Sequence, residues 1–80
     1  MAKLNVSIKS FKENFYDGPA DIVIMKTVNG DIGIMANHIP LMTVIENSQV
    51  KIKNDEQEFS FEINDAIAKV FDNKLTIINW

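Results

Sequence analysis

The chain has 80 residues, one small domain's worth, 46% of them hydrophobic and 24% charged, with no cysteine. That balance is too apolar for disorder. Without thiols, neither a disulfide framework nor a thiolate metal site can supplement a core that hides only about 60% of the unfolded surface.

Eight basic residues, all lysine, stand against eleven acidic ones for a net charge of −3. Lys51 and Lys53 come nearest to a basic cluster, but Asp55, Glu56 and Glu58 follow at once, which argues against nucleic-acid binding by phosphate neutralisation. No apolar run approaches the roughly 20 residues that cross a bilayer. Lys3 and Lys9 precede no apolar core with a small-residue cleavage site, so the expectation is a soluble, intracellular protein. In that setting Asn5-Val6-Ser7 is a coincidental match to the glycosylation tripeptide.

Turn signals recur every eight to twelve residues, the spacing of an all-β sandwich or barrel. Leu4, Val6 and Ile8 alternate with polar residues as a half-buried strand. Asp17-Gly18-Pro19 reads as a strand breaker, and the β-branched run from Ala20 to Val28 as a buried strand. Asn29-Gly30 is a strong hairpin signal, since a type I′ turn needs φ > 0 at both central residues. Ile32 and Ile34 continue around Gly33, which marks a bulge or a close backbone approach. An Ala-Asn-His corner then precedes Pro40, which keeps Ile39 extended.

The second half is more regular. Val50 and Ile52 lead to a turn at Asn54 to Glu56, and Phe59, Phe61 and Ile63 return as a half-buried strand. Asn64-Asp65 is expected to turn, Ala66 to Phe71 to form a strand, and Asp72-Asn73 to turn into a last strand at Leu75 to Ile78. No stretch carries a helical apolar stripe, so less than a tenth of the residues should be helical. The expected core includes Val6, Ile22, Ile24, Val50, Ile52, Phe59, Phe61 and Ile63. The expected architecture is one domain, residues 1–80, all-β.

Catalytic chemistry finds little footing. A hydrolytic triad would have to use the sole histidine, His38, and no serine lies in a Gly-x-Ser-x-Gly turn. Beside proline on a corner, His38 reads as a surface loop residue. No histidine or carboxylate pair has zinc-ligand spacing, and Asp55-Glu56-Gln57-Glu58 lacks the pattern of a calcium loop. No helix follows Gly30 and Gly33 to make a phosphate cradle. The expectation is therefore no catalytic residue, no metal and no cofactor.

One cluster carries a resemblance. Gly30-Asp31-Ile32-Gly33-Ile34, followed by Ala36-Asn37-His38-Ile39-Pro40-Leu41, resembles the signature of the ε subunit of F-type ATP synthases (δ in mitochondria). That signature is commonly Gly-Glu-(Leu/Ile)-Gly-(Ile/Val), then Pro-Gly-His-(Ala/Thr)-Pro-Leu. Gly30, Gly33, His38, Pro40 and Leu41 match, Asp31 stands for Glu, and Ala36-Asn37 replaces Pro-Gly. Asparagine is the next most tolerant residue after glycine for φ > 0, so the corner can survive. Phe15-Tyr16-Asp17-Gly18 is similar to the family's Phe-x-Gly turn with one residue inserted, Val50-Lys51-Ile52 to its Val/Ile-Arg-Ile strand, and Asp72 to Ile77 to its Pro-x-x-Val-Thr-Val. Where the family usually has Ser-Gly-Gly, this chain has Asn64-Asp65-Ala66.

The resemblance implies an antiparallel β-sandwich of two five-stranded sheets and a non-catalytic rotor module. Such a module joins the γ shaft to the membrane rotor ring of c subunits, supporting proton- or sodium-coupled ATP synthesis. It implies a peripheral place on the cytoplasmic side of the bacterial plasma membrane, or an equivalent organellar membrane, without direct insertion. Asp31 and His38 would contact the ring, Asp31 accepting hydrogen bonds and His38 donating or accepting, with Asn29, Gly30, Gly33 and Pro40 shaping the turns. Relatives commonly continue into a C-terminal helical hairpin, which these residues do not contain. The alternatives are a free-standing β-sandwich that binds a peptide or small ligand, and, more weakly, a small hydrolase using His38.

Overall fold

Leu4, Val6 and Ile8 bury one face of the first strand while Asn5 and Lys9 face solvent, as the period of two requires. The computed structural model describes residues 2–79. Seven strands follow in order: β1 (Leu4–Ser10), β2 (Asn14–Ala20), β3 (Ile22–Thr27), β4 (Gly30–Met35), β5 (Leu41–Asn54), β6 (Gln57–Phe71) and β7 (Lys74–Asn79). The described residues contain no helix.

Hydrogen bonds join all seven strands into one continuous sheet of order β2-β1-β7-β6-β5-β3-β4. Two separate five-stranded sheets are therefore not what forms. Nor is the sheet purely antiparallel, because β1 lies parallel to β7. The sandwich arises by bending. In β5 the buried positions run Thr43 and Ile45, then switch phase to Ser48, Val50 and Ile52. In β6, Ile63 is followed by Ala66, Ala68 and Val70. Both strands change phase where they lie side by side, with Asn47 opposite Asn64 and Ile45 opposite Ala66. Each strand thus keeps its apolar side inward as the ribbon turns a corner.

The Asn64-Asp65 turn is accordingly a kink inside one 15-residue strand. Asp65 takes φ 55°, a left-handed conformation that Asp reaches more easily than most residues. The second strand half then folds back, and β2 at one sheet edge sets Tyr16 against Phe59 and Phe61 at centroid distances of 5.4 and 6.4 Å.

Other expectations shift for local reasons. Asp17-Gly18-Pro19 does not break the chain but lies inside β2, with Val6 opposite Gly18 and Asn5 opposite Pro19. A strand at the sheet edge can carry a proline because its missing N–H costs no ladder bond on the open side. The run from Ala20 to Val28 divides at Asp21, leaving Ala20 in β2. The hairpin after β3 turns through Val28 and Asn29, since Thr27 pairs with Gly30. Asn29 keeps a negative φ and only Gly30 is positive, at 111°, so this is not a type I′ turn. Both φ values are positive instead at Asp72 and Asn73, 50° and 60°, between the paired Phe71 and Lys74.

The core confirms Val6, Val50, Ile52 and Ile63 and corrects four other residues. In β3 the buried set is Val23, Met25 and Thr27, so Ile24, 38% exposed, points outward and Ile22 is half-buried. Pairing decides that phase: Val23 lies opposite both Ile34 and Ile52, all fully buried. Phe59 and Phe61 share the inner face with Ile52 and Val50. They sit at its rim, however, where Phe59 remains 36% exposed.

Candidate interaction surface

Of the predicted site residues, Gly30, Asp31 and Gly33 belong to β4, which ends the strand order and pairs with β3, while Asn29, His38 and Pro40 flank it. Asp31 is exposed and lies opposite Lys26, next to the turn that Thr27 braces. The Thr27 hydroxyl donates to the Gly30 carbonyl at 2.8 Å and accepts from the Asn29 N–H at 3.1 Å. Gly33 makes no bulge. It leaves room for Ile22, whose Cδ1 would stand 3.4 Å from a Cβ there.

His38 lies beyond the other end of β4. Four residues from Asp31 to Met35 span about 13 Å of strand, so the fold does not bring Asp31 and His38 together. The His38 corner is built by Asn37 at φ 64°, the left-handed position that the Ala36-Asn37 replacement was expected to tolerate. Asn73 anchors it: its Oδ1 accepts from the Asn37 N–H at 2.9 Å, and its Nδ2 donates to the Lys3 carbonyl at 2.9 Å. His38 Nδ1 lies 2.6 Å from the Ile39 carbonyl. A carbonyl only accepts, so Nδ1 is the donor in this contact. β5 starts directly after Pro40.

A second surface escaped the sequence reading. On the outer face of β5, β6 and β7, Val44 lies opposite Ile67, which lies opposite Ile78. All three are exposed, as is Met42 beside them at 66%. Beneath this face the inward positions of β6 are Ala66, Ala68 and Val70. β6 thus buries alanines and shows solvent an isoleucine. The signal was present in Ala66-Ile67-Ala68, but without the pairing register it read only as part of a strand. Such an apolar row on an outer sheet face is a candidate interaction surface.

Near the His38 end, one ammonium gathers three chain segments. Lys3 Nζ reaches Asp21 Oδ1 at 3.0 Å, Asp55 Oδ1 at 2.8 Å and Asn54 Oδ1 at 2.7 Å. Asp21 Oδ2 also accepts from the Asp55 N–H at 2.7 Å. That backbone N–H, and then Lys3, hold the Asp21 carboxyl below its ordinary value. Hydrogen bonds to Asp55, then to Asp21, hold the Lys3 ammonium above its own. These carboxylates are committed to a clasp between the start of β1, the β2–β3 corner and the β5–β6 turn.

Residues 3–79 match the family model described as "ATP synthase, Delta/Epsilon chain, beta-sandwich domain". The chain belongs to this family. It is 35% identical over 80 residues to the ATP synthase epsilon chain of Halorhodospira halophila, covering 98% of this chain and 57% of that protein. It is 33% identical over 78 residues to the ATP synthase epsilon chain of Caulobacter vibrioides, covering 98% of this chain and 91% of that protein. The delta/epsilon-type chain thus spans little more than half of the first relative and nearly all of the second. Its fold matches a chain in the Euglena gracilis mitochondrial ATP synthase (OSCP/F1/c-ring) with a TM-score of 0.90, 16% identity and coverage of 99% of this chain and 51% of that one. A chain of the Tetrahymena thermophila mitochondrial ATP synthase central stalk and c-ring gives a TM-score of 0.80 at 17% identity, covering 98% and 63%.

Proposed function

We propose that residues 1–80 act as one non-catalytic rotor domain of an F-type ATP synthase, joining the γ shaft to the membrane ring of c subunits in support of ion-coupled ATP synthesis. The observation that carries this reading is an apolar row, Val44, Ile67 and Ile78, exposed on the outer face of a domain that matches the delta/epsilon family almost end to end. This row, with Met42, is the surface for γ. The β4 side, with Asp31 at one end and His38 beyond the other, is the surface for the ring, two separate contacts along one side rather than a single corner. The bent sheet works as the family's two-layered sandwich, with β5 and β6 counted in both layers. The domain sits peripherally on the cytoplasmic side of the bacterial plasma membrane or its organellar equivalent.

The test is binding to reconstituted γ and ring. Ile67→Asp should weaken the γ complex by roughly 2 kcal/mol or more, as for a central apolar contact, without lowering the melting temperature by more than a surface change does. Asp31→Ala and His38→Ala should each weaken ring attachment modestly, in a manner that added salt reduces. Equal binding by all three variants would leave a free-standing β-sandwich as the better description.

A further inference from the structure

The Val28-Asn29 turn has a chemical property that docking does not use. We propose that Asn29 is a site of spontaneous deamidation, which converts this turn from neutral to anionic beside Asp31. In this reaction the Gly30 backbone nitrogen attacks Asn29 Cγ. The bond from Cγ to the side-chain nitrogen breaks, and ammonia leaves carrying the proton lost from the Gly30 nitrogen. Water then opens the resulting five-membered imide at either carbonyl, giving aspartate or isoaspartate. No oxidant, metal or enzyme is required.

Three observations favour Asn29 over the other asparagines. First, the attacking nitrogen belongs to glycine, the residue that hinders ring closure least, and nothing lies within 4 Å of the place where its Cβ would be. Second, both Asn29 and Gly30 are exposed, so water and hydroxide reach them. Third, the Asn29 side-chain nitrogen is held only by Thr43 Oγ1 at 3.5 Å, the outer limit of a hydrogen bond. By contrast, the Asn73 side chain is fixed at both ends by Asn37 and Lys3, Asn54 Oδ1 is held by Lys3 at 2.7 Å, and Asn79 Nδ2 donates to the Asn64 carbonyl. Asn37 and Asn47 are followed by His38 and Ser48, whose side chains crowd the attacking nitrogen.

The product carboxylate stands two residues from Asp31, with Lys26 opposite. Its effect on docking rests on the assignment of Asp31 to the ring, whereas the deamidation itself does not. The experiment ages the 80-residue chain in mildly alkaline buffer at physiological temperature and maps its peptides by mass and chromatography. The peptide holding Asn29 should gain the mass of an amide-to-acid exchange and split into aspartyl and isoaspartyl forms. It should convert about tenfold faster than any other asparagine peptide, the rate ratio given by a barrier difference of about 1.4 kcal/mol. Asn29→Gln, which would have to close a six-membered ring, should abolish the change. Conversion first at another asparagine, no conversion at all, or an unchanged rate in Asn29→Gln would each overturn the proposal. A separate arm compares Asn29→Asp with the parent for binding to the ring. Weaker binding supports the docking consequence and equal binding overturns that consequence alone.

Discussion

Among the described residues, five besides glycine hold positive φ: Asn37, Asp55, Asp65, Asp72 and Asn73. All are Asn or Asp, the residues that enter the left-handed region at least cost after glycine. Four of them sit in turns, but Asp65 does so in mid-strand, where the sheet bends. With only three glycines in the chain, short polar side chains shape its corners. Replacing Asp65 with alanine should therefore cost up to about 1 kcal/mol of stability, because alanine keeps the Cβ but loses the short polar side chain that eases entry into this region. Asp65→Gly should stay within about 0.5 kcal/mol of the parent, because relief of strain offsets glycine's larger entropy loss. Denaturant unfolding of the two variants measures both values, and equal losses would mean that φ at this position does not limit the bend.

At the level of elements, β3 shows how partners settle what a strand's own pattern leaves open. Ile22 to Met25 is apolar at four consecutive positions, so either face could turn inward. Placing Val23 between Ile34 and Ile52 buries Val23 and Met25 and leaves Ile24 against Gly33 and Lys51 on the outside. Met25→Ala should consequently cost about 2–5 kcal/mol, the range for truncating a buried long side chain. Ile24→Ala should cost less than about 1 kcal/mol, since more than a third of it is already in water. Urea midpoints of the two variants decide between the phases, and a reversed order would place Ile24 in the core. β2 shows the same dependence: Gly18 and Pro19 can belong to a strand only because β2 lies at the edge of the sheet.

Over the whole molecule, the Lys3 clasp ties sequence-distant segments together and makes stability depend on pH. Asp21 has a folded pKa below its ordinary value, so its contribution is present above the unfolded pKa and disappears as pH falls through the folded one. Lys3 has a raised pKa, so its contribution is intact below the ordinary lysine value and is lost as pH rises through the folded one. Burial also raises the pKa of the Tyr16 hydroxyl, adding a second loss on the alkaline side. The acid side, below the ordinary carboxylate range, is therefore the cleaner test. There the melting temperature of the parent should fall with pH more steeply than that of Asp21→Asn. Salt should narrow the difference, because the clasp is solvent-accessible. Parallel melting curves for the two proteins would show that the clasp contributes nothing measurable.

The sequence by itself determined the all-β class, the family, the left-handed corner at Asn37, and the turns after Asn54 and at Asp72-Asn73. Each of these follows from neighbouring residues, from side-chain period, turn chemistry and motif spacing. Tertiary structure alone decided the bend in β5 and β6, the phase of β3, the parallel pairing of β1 with β7, and the outward row of Val44, Ile67 and Ile78. It also set Asp31 near one end of β4 and His38 beyond the other, although they lie only seven positions apart. These features depend on which strands become neighbours. A residue's face is fixed by its ladder partners, and those partners lie tens of residues away in the chain.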